Sequence, residues 1–260
     1  MLKIITFLFL IYSNITKAES FFIDSINEDN KTPTQIHYFK GTNSKALILN
    51  LPGGNGGPNA GSPNYWHNNI FIKLSDKNFS SGKYDYTIMP NPYPLEDSYP
   101  IGQSLSRGKK DHLLRIESTI NYLRQKTKLP IILMGHSAGG LSVMEFIEYI
   151  KKDENKKKLI QGIIMSAARN ESNKWLENLD IPVIFLHHKN DGCRVTSYQD
   201  AEYGFEKMLK KNKSSTVFIV IEGGFAANNP CSDGHHMYFG ADEEIKQKLE
   251  KELNKINFNN

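Results

Sequence analysis

At residues 130–151 an apolar strand, a glycine-flanked serine and a helix follow one another with nothing between them. The run Pro130-Ile131-Ile132-Leu133-Met134 enters Gly135-His136-Ser137-Ala138-Gly139 directly, and an apolar helix pattern continues from Ala138 to Lys151. A short, unbroken apolar run is the signature of a strand covered on both faces, as parallel sheets require. A strand that turns at once into a helix needs small residues beside the turn, because side chains there would crowd the backbone. As text, G-x-S-x-G is weak and could mark a plain tight turn. In this setting it has the layout of a nucleophile elbow, with the serine raised at the strand's C-terminal end beside the positive end of a helix.

The rest of the chain repeats the alternation. Strands are expected at Ile36–Phe39, Ala46–Leu51, Tyr84–Met89, Ile160–Ser166, Ile181–His187 and Thr216–Ile221. Helices are expected over 107–126, 138–151, 198–211 and 242–254, the first from Leu113, Leu114, Ile116, Ile120 and Leu123 at helical spacing. Strands alternating with helices of this length predict an α/β fold: a mostly parallel central sheet with helices on both faces. No linker-like composition interrupts it, so one domain is expected over 19–260. The polar, proline-dotted stretch 58–106 would supply loops over the site.

A serine hydroxyl needs a base to take its proton and an acid to orient that base. In this kind of fold the chain order is serine, acid, histidine. Asp191 lies one short turn beyond the strand 181–187, although Asp-Gly is also a common turn signal. After the last strand and Gly223-Gly224, two adjacent histidines, His235 and His236, compete for the base. Acyl transfer also needs N–H donors where the oxyanion forms. The Ala138 N–H is one; Pro52-Gly53-Gly54-Asn55-Gly56-Gly57 supplies another, with Gly54 the first choice and Asn55 the second. A phosphate loop is disfavoured, since no Lys-Ser/Thr follows and G-x-G-x-x-G is absent.

The N-terminus reads as a secretory leader, 1–18. Lys3 precedes a nine-residue stretch, Ile4–Tyr12, that is apolar except for Thr6, and Thr16-Lys17-Ala18 has a small-x-small cleavage pattern. A membrane anchor would need about 20 apolar residues, and no other segment approaches that. Without Lys3 and Lys17 the chain carries 30 basic against 28 acidic side chains, a charge of +2. That balance, with no aromatic residues interleaved in the lysine runs, disfavours nucleic acid as a partner. In an exported chain the two cysteines, Cys193 and Cys231, are expected to pair and to fasten the acid and base loops together. A metal cluster of His187, His188, Asp191, Cys193, Cys231, His235 and His236 is the rival reading. Its spacing fits no metal motif and leaves the serine elbow unexplained.

Over roughly 45–255 the sequence resembles the α/β-hydrolase superfamily, through the glycine loop, the elbow, Asp191 and a late histidine. More narrowly it resembles small exported bacterial members that pair an H-x-x-D-x-C loop, here His188-Lys189-Asn190-Asp191-Gly192-Cys193, with a later C-x(n)-H-G-F-x-G segment. Aligning Gly240 with the final glycine of that segment implies His236 as the base, with Met237-Tyr238 where the group has Gly-Phe. The resemblance implies cofactor-free hydrolysis of a small-molecule ester, thioester, amide or similar acyl substrate, and no metal. It fixes no substrate, because this scaffold serves many chemistries, and a non-catalytic binding protein is the alternative.

Overall fold

A computed structural model of the chain describes residues 19–54, 83–91, 106–174, 181–211, 216–226, 228–231 and 234–258. The leader read over 1–18, the oxyanion candidate Asn55 and most of the 58–106 stretch lie outside these residues.

Eight strands form one sheet: β1 (Glu19–Ile23), β2 (Thr34–Phe39), β3 (Ala46–Leu51), β4 (Tyr84–Ile88), β5 (Ile131–His136), β6 (Gly162–Ser166), β7 (Val183–His188) and β8 (Thr216–Ile221). Their spatial order is β1-β2-β4-β3-β5-β6-β7-β8. β1 and β2 join antiparallel at one edge, and β3 through β8 are parallel. Among the described residues five helices accompany the sheet: α1 (Lys110–Thr127), α2 (Gly139–Ile150), the single turn α3 (Glu154–Lys157), α4 (Tyr198–Lys211) and α5 (Asp242–Leu253). The mostly parallel α/β class read from the alternation is the class observed. β1 and α3 were not anticipated. β1 is a mostly exposed edge strand without the apolar run of the others, and α3 is four polar residues capped by the Asp153 carboxylate.

Side chains on a strand alternate between faces, so each inner strand feeds two cores. Leu47, Leu49, Leu51, Ile131, Leu133, Ile163, Met165 and Phe185 face one way. They meet Ile116, Ile120 and Leu123 of α1, Val143, Phe146 and Ile147 of α2, and Met208 of α4. Ile48, Ile132, Met134, Ile164, Ile184, Leu186, Ile219 and Ile221 face the other way, onto Ile245, Leu249 and Leu253 of α5. Those three residues repeat every fourth position and form one stripe. This double burial is why β3, β5, β6 and β7 read as nearly continuous apolar runs.

Candidate active site

Because β3 through β8 run parallel, the loops after β3, β5, β7 and β8 all leave the same edge of the sheet. Leu51 pairs with Gly135, His136 with Ser166, and His188 with Ile221, so these strand ends are level. That edge, outside the carboxyl ends of the strands, is where α/β sheets bind ligands.

β5 runs two residues beyond the apolar stretch, to His136, so the chain turns at Ser137 itself. Ser137 has φ of 52°, a left-handed conformation that costs a residue with a side chain about 1–2 kcal/mol. Backbone bonds hold it there. Its N–H donates to Ser166 O at 2.9 Å, and its carbonyl accepts from the Gly140 and Arg169 N–H groups, each at 3.1 Å. A Cβ on Gly139 would lie 1.8 Å from Leu51 O, so the second glycine of the pentapeptide lets α2 rest on the end of β3. Ser137 is partly open to solvent between buried His136 and buried Ala138. No side chain caps the N-terminus of α2, and its first turn holds no acidic residue, so the positive end of the helix is left uncompensated beside the serine.

Three hydrogen bonds converge on Asp191, whose side chain is fully buried, and His187 Nε2, 2.9 Å from Thr196 O, also lies near it. Its Oδ2 accepts from His236 Nδ1 at 2.9 Å and from Thr196 Oγ1 at 3.1 Å, with His187 Nε2 at 3.3 Å. Its Oδ1 accepts the Cys193 N–H at 2.8 Å. Burial alone would raise the Asp191 carboxyl. The donors His187 and His236, the charge on His236 and the Cys193 N–H outweigh it, and hold the group well below the usual carboxylate range. An ionised Asp191 can only accept, so His236 presents Nδ1–H to it and keeps Nε2 for another partner. The ring of His236 is 5.1 Å from that of His136, the residue before Ser137. Hydrogen bonds tie His236 to Asp191 and Thr196; among the described residues none joins it to Ser137.

The 3₁₀ turn Gly234–Met237 sends the two adjacent histidines in opposite directions. His236 is buried against Asp191. His235 sets Nδ1 3.1 Å from Asn190 O and stacks on His188 at 4.1 Å. Met237 and Tyr238 are both engaged: Met237 Sδ is 3.3 Å from His136 Nε2, and the Tyr238 hydroxyl donates to Leu186 O at 2.9 Å. Burial first, then repulsion from His236, holds His136 at about 3, so it is neutral near pH 7.

Cys193 and Cys231 are disulfide-bonded and join the loop carrying Asp191 to the loop leading to His236. They are 38 residues apart, for which chain entropy predicts about 4 kcal/mol of stabilisation. Among the described residues no group of three or more His, Cys, Asp or Glu is arranged to hold a metal ion, and no helix is long and apolar enough to cross a membrane.

The loop after β3 lies against the serine. A Cβ on Gly53 would sit 2.7 Å from Ser137 Cβ and 3.2 Å from its Oγ, so only glycine allows this approach. Sequence reasoning missed the side chains that hold this loop, Asn91 and Arg107, and the Thr196 and His187 that meet Asp191. Arg107 reads in sequence only as the start of a helical pattern, and nothing in its neighbourhood marks a partner more than 50 residues away.

Comparison with known proteins agrees with this fold. Solved structures align along nearly the whole chain at low identity. A protein described as a predicted CIB-like hydrolase, from Thermoplasma acidophilum, is 18% identical with a TM-score of 0.58, covering 91% of this chain and 98% of that one. The Pyrococcus furiosus esterase Pf2001 is 12% identical with a TM-score of 0.62, covering 93% of both chains. This chain has the α/β-hydrolase fold. A third structure, XC6422 from Xanthomonas campestris, described as a member of the α/β serine hydrolases without a lid, is 10% identical with a TM-score of 0.58 and covers 92% of this chain and 95% of that one. A family described as protein of unknown function (DUF1749) matches residues 98–218, the part of the α/β-hydrolase fold that holds Ser137 and Asp191 and stops short of His236. No curated protein sequence matches.

Proposed function

We propose that the chain is an exported serine hydrolase that cleaves an ester or related acyl bond of a small molecule through Ser137, Asp191 and His236. The observation that carries the reading is the buried His236–Asp191 pair at 2.9 Å, at the sheet edge where Ser137 stands in its left-handed turn. Asp191 orients His236 and stabilises its charged form. With substrate bound, His236 Nε2 closes on Ser137 Oγ and takes its proton, a contact that often tightens only in the complex. Ser137 then attacks the acyl carbonyl. The Ala138 and Gly54 N–H groups receive the oxyanion, with Asn55 the second choice beside Gly54. His236 protonates the leaving group, then activates the water that releases the acyl-enzyme. The reaction needs no cofactor.

Export with removal of 1–18 is part of the proposal. The leader pattern supports it, and so does the disulfide, which persists in oxidising compartments. A neutral to mildly basic chain with one domain over 19–260 fits a soluble enzyme working on small substrates.

Hydrolysis of p-nitrophenyl esters of graded acyl length tests the chemistry and sizes the acyl site. Activity in the wild type and a loss of about 10⁴-fold or more in kcat for Ser137→Ala are expected. Full activity in Ser137→Ala would overturn the proposal.

A further inference from the structure

The three-residue stretch Pro52-Gly53-Gly54 is held by its carbonyls. Asn91 Nδ2 donates to Gly53 O at 2.8 Å, and Arg107 Nη2 reaches Pro52 O at 3.2 Å and Gly54 O at 3.3 Å. In a planar trans peptide the C=O and the following N–H point in opposite directions. Fixing Gly53 O therefore aims the Gly54 N–H, and fixing Pro52 O aims the Gly53 N–H. Gly54 sits at φ of 72°, so nothing in its own side chain restricts it, and the aim depends on these partners.

Arg107 is an expensive group to put here. It is 0% exposed, and among the described residues its hydrogen-bond partners are all neutral oxygens, the third being Ser142 Oγ at 2.7 Å on α2. Burial first, then the nearby Arg169, pulls it down to about 9, so it stays cationic at neutral pH. A buried cation with neutral partners beside a like charge is a poor device for stability. Its fork does link three backbone and side-chain oxygens that a point-charge lysine could not span in the same geometry. One branch grips the helix that follows Ser137, and the other grips the loop that faces it.

We infer that Arg107 and Asn91 are positioning residues for the oxyanion site: they lock the peptide planes of loop 52–54 and set its N–H groups relative to Ser137. The inference rests on the serine-hydrolase reading and adds to it two residues whose hydrogen bonds go to the loop and to Ser142, not to the triad.

The test compares wild type, Arg107→Lys and Asn91→Ala, using p-nitrophenyl acetate as substrate and an aryl trifluoromethyl ketone as a mimic of the tetrahedral adduct. Thermal unfolding is recorded alongside. Deleting an oxyanion donor outright costs about 10²–10³ in kcat, so misaiming one is expected to cost about 10- to 100-fold. KM should stay within about twofold, and ketone affinity should fall by the same factor as kcat/KM. A merely structural role would lower the unfolding midpoint without that match. Unchanged kcat and ketone affinity in folded Arg107→Lys would overturn the inference while leaving the hydrolase reading in place. If that variant does not fold, Asn91→Ala decides by the same criteria. A wild type that neither hydrolyses the ester nor forms a fluorophosphonate adduct would overturn the hydrolase reading, and this inference with it.

Discussion

Thr196 shows how closely the acid is bound. Its hydroxyl lies 3.1 Å from Asp191 Oδ2 and 3.2 Å from His236 Nδ1, and it is fully buried. Thr196→Val keeps the shape and removes a donor from a buried carboxylate, so a stability loss of about 1–3 kcal/mol is expected. Ester hydrolysis should fall with it, because the His236 ring loses a neighbour that fixes it; denaturant melts and p-nitrophenyl ester kinetics check both. Ser137 and Asp191 stand out as candidates in sequence because the first lies at the end of an apolar strand and the second one short turn beyond another. Between His235 and His236 position after the last strand gives no preference; the resemblance through Gly240 implies His236, and the 3₁₀ turn sets that residue, not His235, against Asp191. Thr196, Asn91 and Arg107 were illegible for a different reason. Their partners arrive through tertiary packing, and a threonine, an asparagine or an arginine has no periodicity that announces it.

At the scale of elements, α2 starts so close to the end of β3 that only glycine fits at 139. An alanine at 139 would place its Cβ 1.8 Å from Leu51 O, far inside any real contact, so helix and strand must separate. Gly139→Ala is expected to cost about 3 kcal/mol or more, at the severe end for a single substitution, and to abolish labelling of Ser137. A folded, labelled Gly139→Ala protein would show that the elbow tolerates a gap the structure does not allow. Seven of the eight strands were legible: most of the six inner ones because both their faces are buried, and β8, at the other edge, because Thr216–Ile221 is almost wholly apolar. β1 was not: it lies at an antiparallel edge, its burial is slight, and edge strands carry little hydrophobic signal.

Across the whole molecule, the buried neutral histidines govern the response to acid. Burial first, with repulsion from Arg107 for His112 and from His236 for His136, holds both at about 3 against an ordinary 6.5. The unfolded chain therefore binds two protons that the folded chain refuses between those values. Stability is full above pH 6.5 and falls as pH drops, by at most about 1.4 kcal/mol per pH unit for each histidine. Asp191, lowered in the fold, acts in the same direction but only below its ordinary value of 3.8. Denaturant melts at pH 7, 6, 5 and 4 should show the decline, and His112→Gln should make it shallower. Ser137 as an activated nucleophile remains the central claim, and fluorophosphonate labelling of the disulfide-intact protein, read by intact mass and peptide mapping, tests it most directly. One adduct per chain is expected, on Ser137, lost in His236→Ala and retained in His235→Ala. A folded protein that takes up no adduct, or takes it up elsewhere, would contradict it and favour a binding role for the scaffold.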